Sequence, residues 1–187
     1  MAITFDDLKE LVSREGLRFF VDPEEKRLMV GVSGMCGKFQ IVISLYDEGV
    51  FLQFRTVNYM TCPPDHPALT DLLKAMADAN YQTRLVKFAW DAGDGEVVAY
   101  ADVWLMDASL TQEQLHRMLG NYVPAIDMQS YRFQRTLKEG KDPGRIDPSS
   151  LVGELLGRDD LPPEVRAILE GVRKGGKDDK DDDIDAL

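Results

Sequence analysis

Hydrophobic residues recur at helical spacing in three segments of the chain. These segments cover residues 4–16, 67–80 and 111–137, and the third is kinked or interrupted at Pro124. A threonine stands at the start of the first and third segments, where its hydroxyl can accept a hydrogen bond from a free backbone amide. The second segment has the most regular apolar stripe, which we expect to pack against a sheet: Leu69, Leu72, Leu73 and Met76.

Short segments rich in β-branched and aromatic residues lie between these helices. We predict six strands, over residues 17–21, 27–33, 39–46, 50–57, 85–90 and 96–105. Successive strands are joined by short turns, which makes them antiparallel neighbours. The order helix, four strands, helix, two strands, helix therefore predicts an α+β fold, with the helices mainly on one face of an antiparallel sheet and a helical extension at the C-terminus.

The chain changes character after the third helix. Glycine and proline punctuate residues 138–148, which predicts a linker. We expect one domain over residues 1–138, a linker with short helices over 139–174, and a disordered acidic tail over 175–187. A helix over residues 161–173 is too short to be stable alone, so it either caps the core or occupies and regulates a partner site. Its narrow apolar edge consists of Val165, Ile168, Leu169 and Val172.

The charge of the chain limits its partners. The formal net charge is −11, from 33 acidic and 22 basic residues, and the part that precedes the tail is also acidic. A body of this charge repels phosphate, so we expect neither a nucleic acid nor an anionic membrane as a partner. The start of the chain lacks the pattern of a secretory signal and no apolar run is long enough for a membrane span, so we expect a cytoplasmic protein.

Candidate chemistry is sparse. The soft ligands and nucleophiles are Cys36, Cys62, His66 and His116. Cys62 and His66 share a proline-rich loop, and they could form half of a metal site or a nucleophile with its base. A loop that contains both residues by chance explains them better, because no further ligand or orienting partner accompanies them. Residues 34–37 are glycine-dense without the spacing of a phosphate-binding loop. We therefore expect no catalytic residue, no metal and no cofactor.

Several local segments carry a resemblance to a known family. Residues 72–80 form a helix end that contains an asparagine, and a strand begins at residues 86–88. The turn over residues 91–95 and the helix start over residues 110–115 add to this pattern. Over residues 4–137 the chain resembles the YbjN family, described as sensory transduction regulators of bacteria. The resemblance implies a fold like that of type III secretion chaperones, no enzymatic activity, and homodimers that hold segments of partner proteins.

These observations favour a non-catalytic protein-binding or regulatory function, in which a groove or an edge strand captures a segment of a partner. Two alternatives stay open: a small-molecule sensor with an apolar pocket between helix and sheet, and an enzyme that uses Cys62 and His66. Both tryptophans lie in the second pair of strands, where they belong either to the core or to an interface. The candidate partner or dimer surface comprises Phe88, Trp90, Trp104, Val165, Ile168 and Leu169.

Overall fold

The computed structural model of the chain describes residues 2–105, 109–157, 163, 166–167 and 169–171. The chain consists of two compact units, Met1–Gly144 and Arg145–Leu187. Val165, Ile168 and the predicted tail over residues 175–187 lie outside the described residues.

The predicted order of elements is confirmed. In the described part of the chain the helices are α1 (Phe5–Arg14), α2 (Leu69–Gln82), α3 (Gln112–Glu139) and α4 (Pro148–Leu156). The strands are β1 (Phe19–Asp22), β2 (Arg27–Ser33), β3 (Lys38–Tyr46), β4 (Phe51–Thr61), β5 (Lys87–Trp90) and β6 (Glu96–Trp104). The hydroxyl groups of Thr4 and Thr111 cap the starts of α1 and α3 as expected, and in both helices the cap is part of a capping box.

The first unit contains one antiparallel sheet. Its strand order is β1-β2-β3-β4-β6-β5, so β1 and β5 are the two edges. β4 extends four residues beyond its predicted end at Val57, because a bulge between Thr56 and Met60 lets the strand continue. Asn58 lies within the bulge at φ +52°, a left-handed conformation that asparagine tolerates better than most residues.

Helices α1, α2 and α3 cover one face of this sheet. Tyr122 of α3 is fully buried, and its hydroxyl donates to the carbonyl oxygen of Ala99 at 2.7 Å and lies 2.9 Å from the Thr56 hydroxyl. Burial raises the pKa of Tyr122 to about 12, so the phenol stays protonated and satisfies the polar groups around it. The core therefore consists of the alternate strand residues on this face and the apolar sides of the helices.

Two expectations about the helices need correction. Leu73 is 38% exposed, whereas Leu72 and Met76 are buried as predicted. The inward face of α2 is completed by small alanines at positions 75 and 79 instead, which bring the helix close to the sheet. Pro124 does not interrupt α3, which is one helix of 28 residues. Pro124 and Gly120 both lie on its exposed side, where the carbonyl group left without an intrahelical donor can face solvent.

The second unit begins with α4. Asp147 caps this helix, since its carboxylate accepts the backbone N–H of Ser150 at 2.9 Å. Leu151 and Leu155 of α4 are buried, and so is Leu169, while the described residues from 163 to 171 are all helical. None of the helices in the described ranges combines the length and the apolar character that a membrane span requires.

Candidate protein-binding surface

The sheet face opposite the helices carries a row of aromatic side chains. Tyr46, Phe51 and Trp104 are direct neighbours across β3, β4 and β6 in the strand register, and we refer to them as the aromatic row. The ring centroids lie 5.9 Å apart between Tyr46 and Phe51, and 4.8 Å apart between Phe51 and Trp104. These distances are typical of attractive aromatic pairs, so neighbouring rings in the row stabilise one another.

The aromatic row is accessible. Trp104 is 63% exposed, and Tyr46 is also exposed. An exposed tryptophan that packs against a neighbouring ring provides a large, rigid, apolar contact surface with a hydrogen-bond donor at its edge. Aromatic residues of this kind are enriched at protein interfaces and at the centre of their binding energy.

Polar pairs hold the strands beneath the aromatic row. Next to it, the Gln53 amide donates to the Asp102 carboxylate at 2.8 Å between β4 and β6. Further along the same two strands, Arg55 forms an ion pair with Glu96 at 2.9 Å. Each exposed pair contributes little to stability, but it selects one register and so fixes the spacing of the rings. This sheet face, which we call the open face, therefore carries exposed aromatic rings at one end and exposed polar pairs further along the same strands.

The other predicted surface residues are less accessible. Phe88 is only 4% exposed and packs against Phe133 at 5.1 Å between ring centroids, so it belongs to the core and not to an exposed face. The correction follows from strand register, because Phe88 pairs with the core residue Ala99 and thus points towards the helices. Trp90 is half-buried. Its indole N–H donates to the carbonyl oxygen of Cys62 at 2.8 Å.

Only one of the three C-terminal candidates can be placed. Leu169 is buried within the second unit, whereas Val165 and Ile168 lie outside the described residues. Among the predicted surface residues that the structure describes, Trp104 is thus the one that is largely exposed. Tyr46 and Phe51 were not predicted. Their place beside Trp104 depends on the pairing of β4 with β6, across a helix and about 50 residues of sequence, which no local pattern reveals.

The edge at β5 is closed by an asparagine. The side-chain amide of Asn80, on α2, donates to the carbonyl oxygen of Phe88 at 2.9 Å, and its oxygen accepts the backbone N–H of Phe88 at 2.7 Å. The ammonium group of Lys87 binds the carbonyl oxygens of Asn80 and Thr83 at the end of α2. Asn80 therefore satisfies the outward-facing backbone groups of Phe88, which a further strand would need, and so protects this edge from pairing.

A groove lies between the start of β5 and the first half of α3. Its volume is about 700 Å³, and its lining combines residues 82–86 with residues from α3. Leu85, Met118 and Ala125 contribute apolar surface, while Arg84 and Arg117 are exposed. The volume is within the range of small-molecule sites, and the groove therefore bears on the sensor alternative.

Cys62 and His66 do not have the features of a nucleophile and its base. Cys62 is fully buried, and burial raises the pKa of its thiol, whereas a nucleophilic cysteine needs a lowered pKa. The Nδ1 atom of His66 accepts the backbone N–H of Ala68 at 3.2 Å. Across the described ranges, we find no group of three or more histidine, cysteine, aspartate or glutamate side chains that could hold a metal ion.

The glycine-dense turn over residues 34–37 binds a carboxylate of the chain itself. Asp127 of α3 is buried, and its two oxygens accept the backbone N–H groups of Met35 at 2.7 Å and Cys36 at 2.9 Å. A β-carbon on Gly34 would lie 2.3 Å from the Asp127 carboxyl carbon, so only glycine fits. The turn thus anchors the β2–β3 hairpin to α3.

A buried arginine joins α2, α3 and the segment after α3. Arg132 is 3% exposed and pairs with Asp142 through two hydrogen bonds of 2.9 and 2.6 Å and with Asp78 at 2.8 Å. The Arg132 guanidinium holds the pKa of the Asp142 carboxyl below its usual range. Paired charges at this depth serve the structure of the first unit and leave little free charge for a ligand.

Together the described residues define an α+β protein with helices on one face of its sheet, an exposed aromatic row on the other face, and no catalytic constellation in view. The chain belongs to the YbjN family, whose model, "Putative bacterial sensory transduction regulator", matches residues 4–135. The resemblance seen in the sequence is thereby confirmed.

Solved structures place the fold among similar proteins. The crystal structure of E. coli YbjN, described as a putative transcription regulator, matches with a TM-score of 0.56 and 18% identity, over 74% of this chain and 95% of that chain. The ExsC–ExsE complex matches with a TM-score of 0.48 and 20% identity, over 70% and 96%. The HopA1–SchA chaperone–effector complex matches with a TM-score of 0.43 and 12% identity, over 64% and 86%. The comparison with curated proteins gives no match.

Proposed function

We propose that this chain is a non-catalytic regulatory protein that acts as a homodimer and binds a segment of another protein on the open face of its sheet. The observation that carries the proposal is the aromatic row, in which Trp104 is largely exposed although it packs against Phe51. A chain usually buries such a side chain unless the exposed surface has a partner. Membership of a family of regulators supports this function.

The partner is a protein and not a nucleic acid. The net charge of −11 opposes any approach to phosphate, so regulation through direct DNA contact does not fit the chain. The two hydrogen bonds between the Asn80 side chain and the Phe88 backbone also argue against capture of an added strand at the β5 edge. We therefore expect the partner segment to lie on the face of the sheet, with an apolar side chain against Trp104 and polar contacts towards Gln53 and Asp102.

Affinity capture tests this proposal. The full chain is immobilised and incubated with lysate of its native host, and the retained proteins are quantified for the wild type, for Trp104→Ser and for Tyr81→Ser. Tyr81 is an exposed aromatic residue on α2, so its variant controls for the loss of any exposed ring. We expect that the wild type and Tyr81→Ser retain the same proteins in equal amounts. Trp104→Ser should retain at least about tenfold less of them, because it lacks one hot-spot contact. Identical retention by all three would contradict the proposal.

Tryptophan fluorescence then tests whether a captured protein binds directly at Trp104. The chain has two tryptophans, so Trp90→Phe leaves Trp104 as the single tryptophan reporter. Burial of an exposed indole in an interface shifts its fluorescence to shorter wavelength. We expect this shift on titration with the purified partner, and its absence would mean that the partner binds elsewhere.

The groove between β5 and α3 favours a second candidate function, that of a small-molecule sensor. Its volume, its apolar surface and the exposed Arg84 suit a small anionic ligand, while Arg117 already forms an ion pair with Glu113. Thermal-shift screening with a set of metabolites distinguishes the two functions. If the chain is a sensor, a ligand should raise the melting temperature of the wild type. The same ligand should not stabilise Asn121→Trp, because the larger side chain fills the groove.

A further inference from the structure

The two edges of the sheet differ in how they are protected. β5 is closed by Asn80, whereas β1 pairs with β2 alone in the described part of the chain. β1 is also apolar on both faces: Phe20 is 76% exposed on the open face, and Val21 is exposed on the helical face. An apolar edge strand without protection readily pairs with another strand.

We propose that β1 pairs antiparallel with β1 of a second copy of this chain, about a two-fold axis that passes beside Phe20. This inference rests on the homodimer in the proposed function and specifies its interface. The pairing joins the two six-stranded sheets into one continuous sheet and leaves the aromatic row of each copy uncovered on the open face.

The alternation of side chains limits the possible registers. A two-fold axis perpendicular to the sheet keeps the helices of both copies on the same side, so each residue must lie opposite one that points to the same face. An axis at Phe20 places Phe20 opposite its own copy and Phe19 opposite the Val21 of the second copy. The exposed apolar residues of β1 thereby gain apolar neighbours on both faces.

The same register matches the charges at the ends of the strand. Arg18, which directly precedes β1 and is exposed, lies opposite the Asp22 of the second copy, and this pair occurs twice. Asp22 already lies 3.7 Å from Arg27 on the neighbouring strand, so the positive and negative charges alternate across the interface. Opposite charges in facing positions stabilise a pair of antiparallel strands.

Neighbouring registers lose these matches. An axis at Phe19 places Arg18 opposite Phe20, and an axis at Val21 places Phe20 opposite Asp22 and Phe19 opposite Pro23. Proline lacks the backbone donor that strand pairing needs, and a carboxylate opposite an aromatic ring loses its ion pair. The chemistry of β1 thus selects the axis at Phe20.

Disulfide cross-linking tests the register. The full chain carries Phe20→Cys in a Cys36→Ser background, where Cys62 is buried, and is oxidised and run on a non-reducing gel. Facing residues of antiparallel strands are close enough for a disulfide, so we expect most of the protein as a cross-linked dimer. The control is Tyr81→Cys in the same background, an exposed position away from β1. Cross-linking no greater than that of the control overturns the register.

A charge exchange tests the interface without a new cysteine. In sedimentation experiments on the full chain, Arg18→Asp and Asp22→Arg should each weaken the dimer at least about tenfold, and the double variant should restore it. If Asp22→Arg fails to fold, as a thermal melt will show, Arg18→Asp and the cross-linking result decide. A wild-type monomer at about 50 μM, a weak affinity by the usual scale, overturns both the homodimer and this interface. If the wild type is a dimer, the charge exchanges do not weaken it and Phe20→Cys does not cross-link it, the proposed homodimer stands but the β1 interface is overturned.

Discussion

At the scale of single residues, the contact between Gly34 and Asp127 holds the β2–β3 hairpin. We predict that Gly34→Ala destabilises the chain by about 1–3 kcal/mol, because the added methyl group collides with a buried carboxylate that cannot move without losing two hydrogen bonds. Gly31 is the matched control in the same hairpin, since nothing lies within 4 Å of its added β-carbon. Gly31→Ala should be neutral or slightly stabilising. Urea unfolding measures both, and equal effects would refute the assignment.

Single residues predicted the helix caps better than they predicted the residues of the protein-binding surface. The two threonines that begin α1 and α3 act locally, so the sequence reveals them, and both capping boxes are present. Phe88 was predicted on the candidate surface but is buried, because the alternation along β5 does not say which of its faces meets the helices. Tyr46 and Phe51 were missed, since their neighbour Trp104 comes from a distant strand.

At the scale of elements, α2 packs on the sheet through only part of its predicted apolar stripe. We predict that Leu72→Ala costs about 2–5 kcal/mol, because Leu72 is fully buried and its loss leaves a cavity. Leu73→Ala is the matched control, with the same chemical change one residue further on. Leu73 is exposed, so this variant should remain within about 0.5 kcal/mol of the wild type. Denaturant melts compare the two, and a larger loss for Leu73→Ala would place α2 in a different rotation.

The pairing of Arg132 with Asp142 makes the end of α3 sensitive to acid. The pKa of Asp142 in the folded chain lies below its ordinary value of 3.8, chiefly because Arg132 donates hydrogen bonds to the ionised carboxylate. The ionised form therefore favours the folded state. This contribution is fully present above about pH 5 and is lost as the pH falls through the lowered pKa of Asp142.

We accordingly predict that Asp142→Asn is less stable than the wild type at pH 7, and that the difference decreases below about pH 4 as the wild-type carboxylate takes up its proton. Unfolding free energies at pH 7, 5 and 3.5 test this. Asp65→Asn on an exposed loop is the control, and its difference from the wild type should stay within about 0.5 kcal/mol at all three values. A difference for Asp142→Asn that does not change with pH would show that the ion pair is not the cause.

The elements themselves were largely predictable because their periodicities are local. All six strands were expected within a few residues, apart from the bulged end of β4, whose irregular backbone has no hydrophobic pattern. The exposure of Leu73 was not predictable. A stripe with leucine at two adjacent positions fits two rotations of the helix, and the close contact that Ala75 and Ala79 allow selects between them.

At the scale of the whole molecule, α1, α2 and α3 cover one face of the six-stranded sheet, and no described element of the first unit forms a layer on the other face. That face mixes polar side chains with apolar ones such as Met29, Val42 and Val57, which are partly buried. The exposed large apolar side chains of this face, among the described residues, lie in the aromatic row at one end and at Phe20 on the β1 edge. These two apolar places lie on different strands, and the proposals assign them to different occupants: a partner segment and a second copy.

We expect the first unit to fold without the second. The hydrophobic core of the first unit draws its buried residues from positions 3–133, and the residues packed around it end at Leu137. We predict that a chain ending at Gly144, which keeps the Arg132–Asp142 pair, folds and melts within a few degrees of the full chain. It should also retain the proteins whose capture depends on Trp104. Thermal unfolding by circular dichroism checks the first point, and the capture experiment checks the second. A truncated chain that is unfolded would mean that the residues after Gly144 complete the core, and the proposed domain boundary at residue 138 would then be wrong.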